Sequence, residues 1–63
     1  MNIVRVALAV PLPRFFDYLS SPDLTPIVGG RVLVPFGSQK RVGIVVDLPA
    51  SSDVAKEKLK PIL

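Results

Sequence analysis

The clearest regularity in the chain is alternation with a period of two. From Ile3 to Val10, Val4, Val6, Leu8 and Val10 fall on one side, and Arg5, Ala7 and Ala9 on the other. Strict alternation rich in β-branched residues predicts a half-buried strand. Pro11 and Pro13 end it, because proline cannot donate to a ladder. A second strand is predicted from about Arg14 to Leu19, with Phe16 and Tyr18 on one face and Phe15, Asp17 and Leu19 on the other. That parity separates Asp17 from the two rings, whereas a bulge beside the prolines would reunite them; the pattern leaves both arrangements open.

Further along, Ser20-Ser21-Pro22-Asp23 has turn chemistry, and Leu24-Thr25-Pro26 continues in extended or looping form. Gly29-Gly30 predicts a tight turn, since glycine takes positive φ without steric cost. A third strand follows from Arg31 to about Phe36, with Val32, Val34 and Phe36 on one face; Pro35 marks it as a sheet edge. Gly37-Ser38-Gln39-Lys40 is the strongest hairpin signal. The fourth strand, Arg41 to Leu48, is predicted to point Val42, Ile44, Val46 and Leu48 inward and Gly43 outward. Ser52 or Asp53 is placed to cap a short helical turn through Leu59, which Pro61 must end.

These elements predict a mainly all-β fold, a small antiparallel β-barrel or strongly bent sheet with a short helical turn near the C-terminus. With 63 residues, one small domain spanning 1–63 is expected. A chain of this size buries only about 60% of the surface its unfolded form exposes. The last residues, Ile62-Leu63, are apolar with no polar tail, which predicts a piece of a longer polypeptide.

Composition narrows the chemistry. There is no cysteine and no histidine, which removes disulfides, thiolate metal sites and the usual general base. The five acids, Asp17, Asp23, Asp47, Asp53 and Glu57, form no paired-carboxylate spacing, and Gly29-Gly30 lacks a nucleotide-loop context. No catalytic residues, metal site or cofactor are therefore expected in this chain. No apolar run approaches the roughly 18 residues of a membrane span, and Met1 leads straight into a strand without a signal-peptide pattern. A soluble cytoplasmic protein with no membrane partner is the expectation. The net charge of +3 suits a phosphate-bearing partner without specifying one.

Candidate chemistry concentrates in Pro11–Leu19, which holds three of the four aromatic residues around one carboxylate. Phe16 and Tyr18 suit base stacking or a core. Asp17 suits accepting from a base edge or a sugar hydroxyl, or pairing with Arg14. A carboxylate repels phosphate, so it belongs where the phosphates stop, at a strand terminus. Gly37 admits close backbone approach or simply completes a turn. Lys56, Lys58 and Lys60 suit phosphate contact or a solvated face.

Several blocks together resemble the start of the PriA family of bacterial replication-restart helicases, the primosomal protein N′ family. They are Val10-Pro11-Leu12-Pro13, Phe16-Asp17-Tyr18-Leu19, Gly29-Gly30-Arg31-Val32, Val34-Pro35-Phe36-Gly37, Gly43-Ile44-Val45-Val46 and Leu59-Lys60. The resemblance implies that residues 1–63 are the first part of an N-terminal DNA-binding domain. Such a domain captures the 3′-terminal nucleotide of a nascent leading strand at a stalled fork without base selectivity. It places the pocket residues at Phe16, Asp17, Tyr18, Gly37 and Lys60. Asp17 would hydrogen-bond the terminal nucleotide, the rings would shape the pocket, and Gly37 and Lys60 would close it. ATP with magnesium, the helicase motor and zinc belong to parts of such a parent absent from this chain, as do contacts with primosome and single-strand-binding proteins. A nucleoid-associated location in bacterial cytoplasm follows. Two other readings remain: a protein-interaction or self-associating β module, and a general single-stranded nucleic-acid-binding barrel.

Overall fold

The computed structural model describes residues 2–21, 23 and 26–63, without the Lys56 side chain. The alternating segments form β1 (Ile3–Leu8), β2 (Phe16–Leu19), β3 (Arg31–Phe36) and β4 (Gln39–Asp47), followed by a 3₁₀ turn at Lys56–Lys58. All strand pairs are antiparallel, in the order β2-β1-β4-β3. This is the expected all-β architecture, and the sheet curls into a half-barrel. Among the described residues no helix is long and apolar enough to cross a membrane.

The ends of the strands have local causes. β1 stops at Leu8, where the Val10 N–H turns back to the Leu8 carbonyl at 2.9 Å; the Arg14 N–H does the same to Leu12 at 2.9 Å. These three-residue turns fold the proline segment, so β2 begins at Phe16 and not at Arg14. The hairpin between β3 and β4 is a two-residue link, Gly37-Ser38, with Phe36 opposite Gln39 and Gly37 at φ +61°. The tight turn expected at Gly29-Gly30 is present: the Gly30 N–H donates to Ile27 at 2.8 Å, and Gly29 has φ +91°. At the expected Ser20–Asp23 turn, the Asp23 N–H donates to Ser21 Oγ at 3.2 Å. Pro22, and the Leu24 and Thr25 of the expected extended path, lie outside the described residues.

Val4, Val6, Tyr18, Val34 and Val45 are buried together on the concave face, with Leu8, Phe16, Val32 and Ile62 against them. The inward and outward sides of β4 are the reverse of those predicted. Gly43 and Val45 face inward, whereas Val42 is 60% exposed and Ile44 40%. Both parities of this strand carry apolar residues, so hydrophobicity alone could not choose between them. Close packing against β1 does. A Cβ on Gly43 would meet the Val6 side chain, the Leu8 side chain at 2.7 Å and the Ala7 carbonyl at 3.0 Å. The sheet bends tightly because β1 fills the space that Gly43 leaves.

A register shift opposite the Arg5–Val6 step leaves Val46 as an extra residue on β4, since Val6 pairs with Val45 and Arg5 with Asp47. Beyond this bulge, Arg5 and Asp47 share the convex face. Pro35 does sit in an edge strand, as its missing donor requires.

Curling brings the two sheet edges, β2 and β3, toward each other. Residues 60–63 fill part of the opening between them. The Leu19 N–H donates to the Lys60 carbonyl and the Ile62 N–H to the Leu19 carbonyl, both at 2.9 Å, and the Leu63 N–H donates to Leu33 at 2.8 Å. Leu19 and Pro61 thereby form a parallel bridge. The rest of the opening stays empty and becomes the site.

Candidate nucleic-acid interface

The unfilled part of the opening is a cleft of about 690 Å³. All five residues singled out from the sequence, Phe16, Asp17, Tyr18, Gly37 and Lys60, line it. The edge position of β2 explains how. The strand is regular, pairing Val4 with Tyr18, Arg5 with Asp17 and Val6 with Phe16 without a shift. Of the two arrangements the pattern left open, the regular strand forms, and Asp17 points away from the rings. At a free edge, however, a cleft can run around the backbone and border both faces. Alternation separates side chains across a sheet, but not around its rim.

The aromatic floor is tied together across the gap. Tyr18 is only 5% exposed, and its hydroxyl donates to the Pro35 carbonyl at 2.9 Å. Burial raises the Tyr18 pKa above its ordinary value. The Phe16 ring meets the Phe36 ring edge-on, with centroids 5.1 Å apart at 83°. The Arg14 guanidinium lies 4.9 Å from the Phe16 centroid. So Tyr18 is a core residue whose tip reaches the cleft, and Phe16 is held between a ring and a cation. Phe15, which also borders the cleft, is the freest of the four rings at 58% exposure.

Asp17 pairs not with Arg14 but with Arg5, its cross-strand neighbour. Arg5 Nε donates to Oδ1 at 3.0 Å and its terminal NH2 group to Oδ2 at 3.3 Å. Ser52 Oγ donates to the same Oδ2 at 2.5 Å. Burial alone would raise the Asp17 pKa; the hydrogen bonds from Arg5 and Ser52 and the Arg5 charge outweigh it and hold the carboxyl below its ordinary value. Asp17 is therefore an anion at neutral pH and can only accept.

Ser52 does not cap a helix as predicted, and neither does Asp53. Ser52 Oγ accepts from the Val54 N–H at 3.1 Å while donating to Asp17. The helical turn is confined to Lys56–Lys58, with the Lys58 N–H bonded to Ala55 at 2.8 Å. This segment forms the outer wall with Asp53, Val54 and Lys58. Lys60 reaches the rim because its carbonyl is fixed to the β2 edge. The Lys56 side chain, expected beside it, lies outside the described residues. Gly37 opens onto free space: nothing lies within 4 Å of a Cβ built there.

Pattern reading missed Arg5, Phe36, Pro35 and the Asp17 role of Ser52. The Arg5–Asp17 pair was readable in principle from a β1–β2 register, but nothing local marks Ser52, 35 residues away.

Residues 5–63 match the family described as the 3′ DNA-binding domain, 3′BD, of PriA. The chain belongs to this family. The Replication restart protein PriA of Haemophilus influenzae is 65% identical over 63 residues, covering all of the chain and 9% of that protein. The protein of the same name from Buchnera aphidicola of Acyrthosiphon pisum is 40% identical over 62 residues, 98% of the chain and 8% of the relative. That from Buchnera of Schizaphis graminum is 37% identical over 59 residues, 94% and 8% respectively. The chain thus spans less than a tenth of the length of these PriA relatives. The description of that family is of a DNA-binding domain.

Proposed function

We propose that the cleft binds the 3′-terminal nucleotide of a nascent DNA strand at a stalled replication fork, without base selectivity. The observation that carries this reading is an ionised carboxylate facing a cleft whose rim is cationic. Arg14, Lys58 and Lys60 attract the strand. Asp17 accepts from a hydroxyl but repels a phosphate, so the favoured ligand is a strand whose phosphates have ended. Tyr18 and Phe16 form the floor under the sugar and base, with Phe15 offering an exposed stacking face. Gly37 and Lys60 close the mouth. None of these contacts requires readout of a base edge, which is why base identity is not selected.

On this reading, the module is the end-sensing part of a replication-restart helicase acting in primosome assembly. ATP hydrolysis and zinc binding belong to other parts of that parent. Primosome and single-strand-binding partners act through those parts, in the bacterial cytoplasm.

The test compares an oligonucleotide ending in a 3′-hydroxyl with the same strand ending in a 3′-phosphate. A hydrogen bond to a charged group contributes about 1.5–3 kcal/mol, so the blocked strand should bind at least roughly tenfold more weakly. Equal affinities would remove end recognition and favour the general single-strand-binding reading.

The convex face supports a second use of the module, as a protein-contact surface. Leu33 and Val42 pair there at 39% and 60% exposure, beside Ile44. Sedimentation of the chain without DNA tests it, and a single monomeric boundary at all concentrations would rule out self-association through this face.

A further inference from the structure

Asp17 reaches the cleft with most of its accepting capacity already committed. An ionised carboxylate has about four lone-pair sites. Three hydrogen bonds occupy it here, two from Arg5 and one from Ser52. The donors come from different parts of the fold, β1 and the segment after β4, and approach from two sides. Together they leave the carboxylate little rotational freedom and one accepting direction. The side chain is 9% exposed, and Asp17 is among the residues that line the cleft.

We propose that Arg5 and Ser52 are positioning residues for end recognition: they fix the Asp17 carboxylate so that its one remaining lone pair faces the terminal sugar hydroxyl. The inference rests on the end-binding reading above and adds to it. A lone carboxylate rotates, and its hydroxyl contact competes with water. A carboxylate held at three points presents its acceptor ready-made, and the sugar need only supply a donor. Ser52 also ties the outer wall of the cleft to its recognition group, because Asp53 and Val54 follow it directly.

The charges around Asp17 make the idea measurable. Arg5 faces it from β1, and Asp47 on β4 lies 3.9 Å from the same guanidinium. Asp53 also acts on Arg5, and Arg14, Lys58 and Lys60 line the cleft. Tyr18, the next residue along β2, is neutral until alkaline pH. If Arg5 or Ser52 is removed, burial is less opposed and the carboxyl protonates at a higher pH. A protonated carboxyl accepts more weakly and is no longer held by the Arg5 charge, so hydroxyl recognition should fail earlier as pH falls.

The experiment measures affinity of the 63-residue chain for one oligonucleotide in two forms, ending in a 3′-hydroxyl or a 3′-deoxy sugar, from pH 4 to pH 8. The ratio of the two affinities isolates the terminal contact. For the wild-type chain this ratio should stay constant down to the ordinary carboxylate range. Ser52→Ala should lower the ratio several-fold at pH 7 and move its decline to higher pH, and Ser52→Thr should restore both. Arg5→Lys, which keeps the charge but not the two-point hold, should lower the ratio with little loss of fold; Arg5→Leu should do so more strongly. An unchanged ratio and pH profile in Ser52→Ala and Arg5→Lys would overturn the proposal. So would a loss of affinity equal for both ends, which marks a purely structural role. Wild-type indifference to the terminal hydroxyl would instead bring down the end-binding reading beneath it.

Discussion

Tyr18 and Pro35 sit on opposite edges of one sheet, and the Tyr18 hydroxyl donates to the Pro35 carbonyl at 2.9 Å. The bond spans the opening of the half-barrel where proline has left β3 without a donor. It makes the tyrosine a strut between β2 and β3. The cleft owes its floor to this strut and to the Phe16–Phe36 contact beside it.

The strut can be read directly, because Tyr18 is the sole tyrosine and there is no tryptophan. Burial raises its pKa, so the unfolded chain loses this proton before the folded one does. Its stabilising effect is complete below the unfolded value of about 10 and is lost as pH rises through the folded value. Tyrosinate absorbance should therefore appear at higher pH in the native chain than in the urea-unfolded chain. Coincident titrations would contradict the burial. Tyr18→Phe should lower stability by about 0.5–1.5 kcal/mol in urea denaturation.

Asp17 predicts the opposite limb of the pH profile. Its folded pKa is lowered, so its contribution is present above the unfolded value of about 3.9 and disappears as pH falls through the folded one. Thermal midpoints of the wild-type chain should fall as pH drops below about 4, and the Asp17→Asn variant should lose part of that dependence. Asp17→Ala should weaken binding to free 3′ ends roughly tenfold or more while the far-ultraviolet spectrum stays that of a β-sheet. Unchanged end binding in that variant would contradict the role given to the carboxylate.

Gly43→Ala should be costly even though glycine in a strand is usually the weaker choice. The new methyl would enter space held by Val6 and Leu8. Overpacking of this kind costs about 1–3 kcal/mol. Combining it with Val6→Ala should be less destabilising than the sum of the two single changes, since each relieves the other. Strict additivity in denaturant midpoints would show that the curl does not depend on this contact.

The cationic rim proposed to meet the phosphates predicts a salt effect. Each phosphate neutralised on a single strand adds about 0.7 to the slope of log affinity against log salt. Replacing Arg14 or Lys58 by alanine should reduce that slope by about this amount and leave the ratio between hydroxyl and phosphate ends nearly unchanged. A large change in the ratio with an unchanged slope would assign these cations to the terminus instead.

Much of this arrangement was legible from residue order. Period-two alternation located β1 and β3, glycine chemistry located the β3–β4 hairpin, and Pro35 marked an edge. The family resemblance supplied the five candidate residues that line the cleft. The parity of β4 was not legible, because Val42 and Ile44 on one side compete with Val45 on the other. What decides it is the room that Val6 and Leu8 need, a property of a different strand. The Asp17–Ser52 bond was hidden for a related reason: a serine in an irregular segment carries no pattern that reveals its partner. For Asp17 the pattern left two arrangements open, and the regular one without a bulge forms. The pattern did not forecast that the cleft would turn around the rim of β2.

The parallel bridge between Leu19 and Pro61 has a consequence for the order of opening. The β3–β4 hairpin joins neighbours in sequence, whereas residues 60–63 must travel back to a strand laid down some forty positions earlier. The β1–β4 pairing spans a similar distance but is a full ladder. Residues 60–63 are held at the end of the chain by three backbone bonds, and so lightly held a segment opens early. The amides of Leu19 and Ile62 should therefore exchange with solvent ahead of those in β1, and the cleft should melt while most of the sheet is still intact. A bound strand end would act as a latch on the first part of the chain to open.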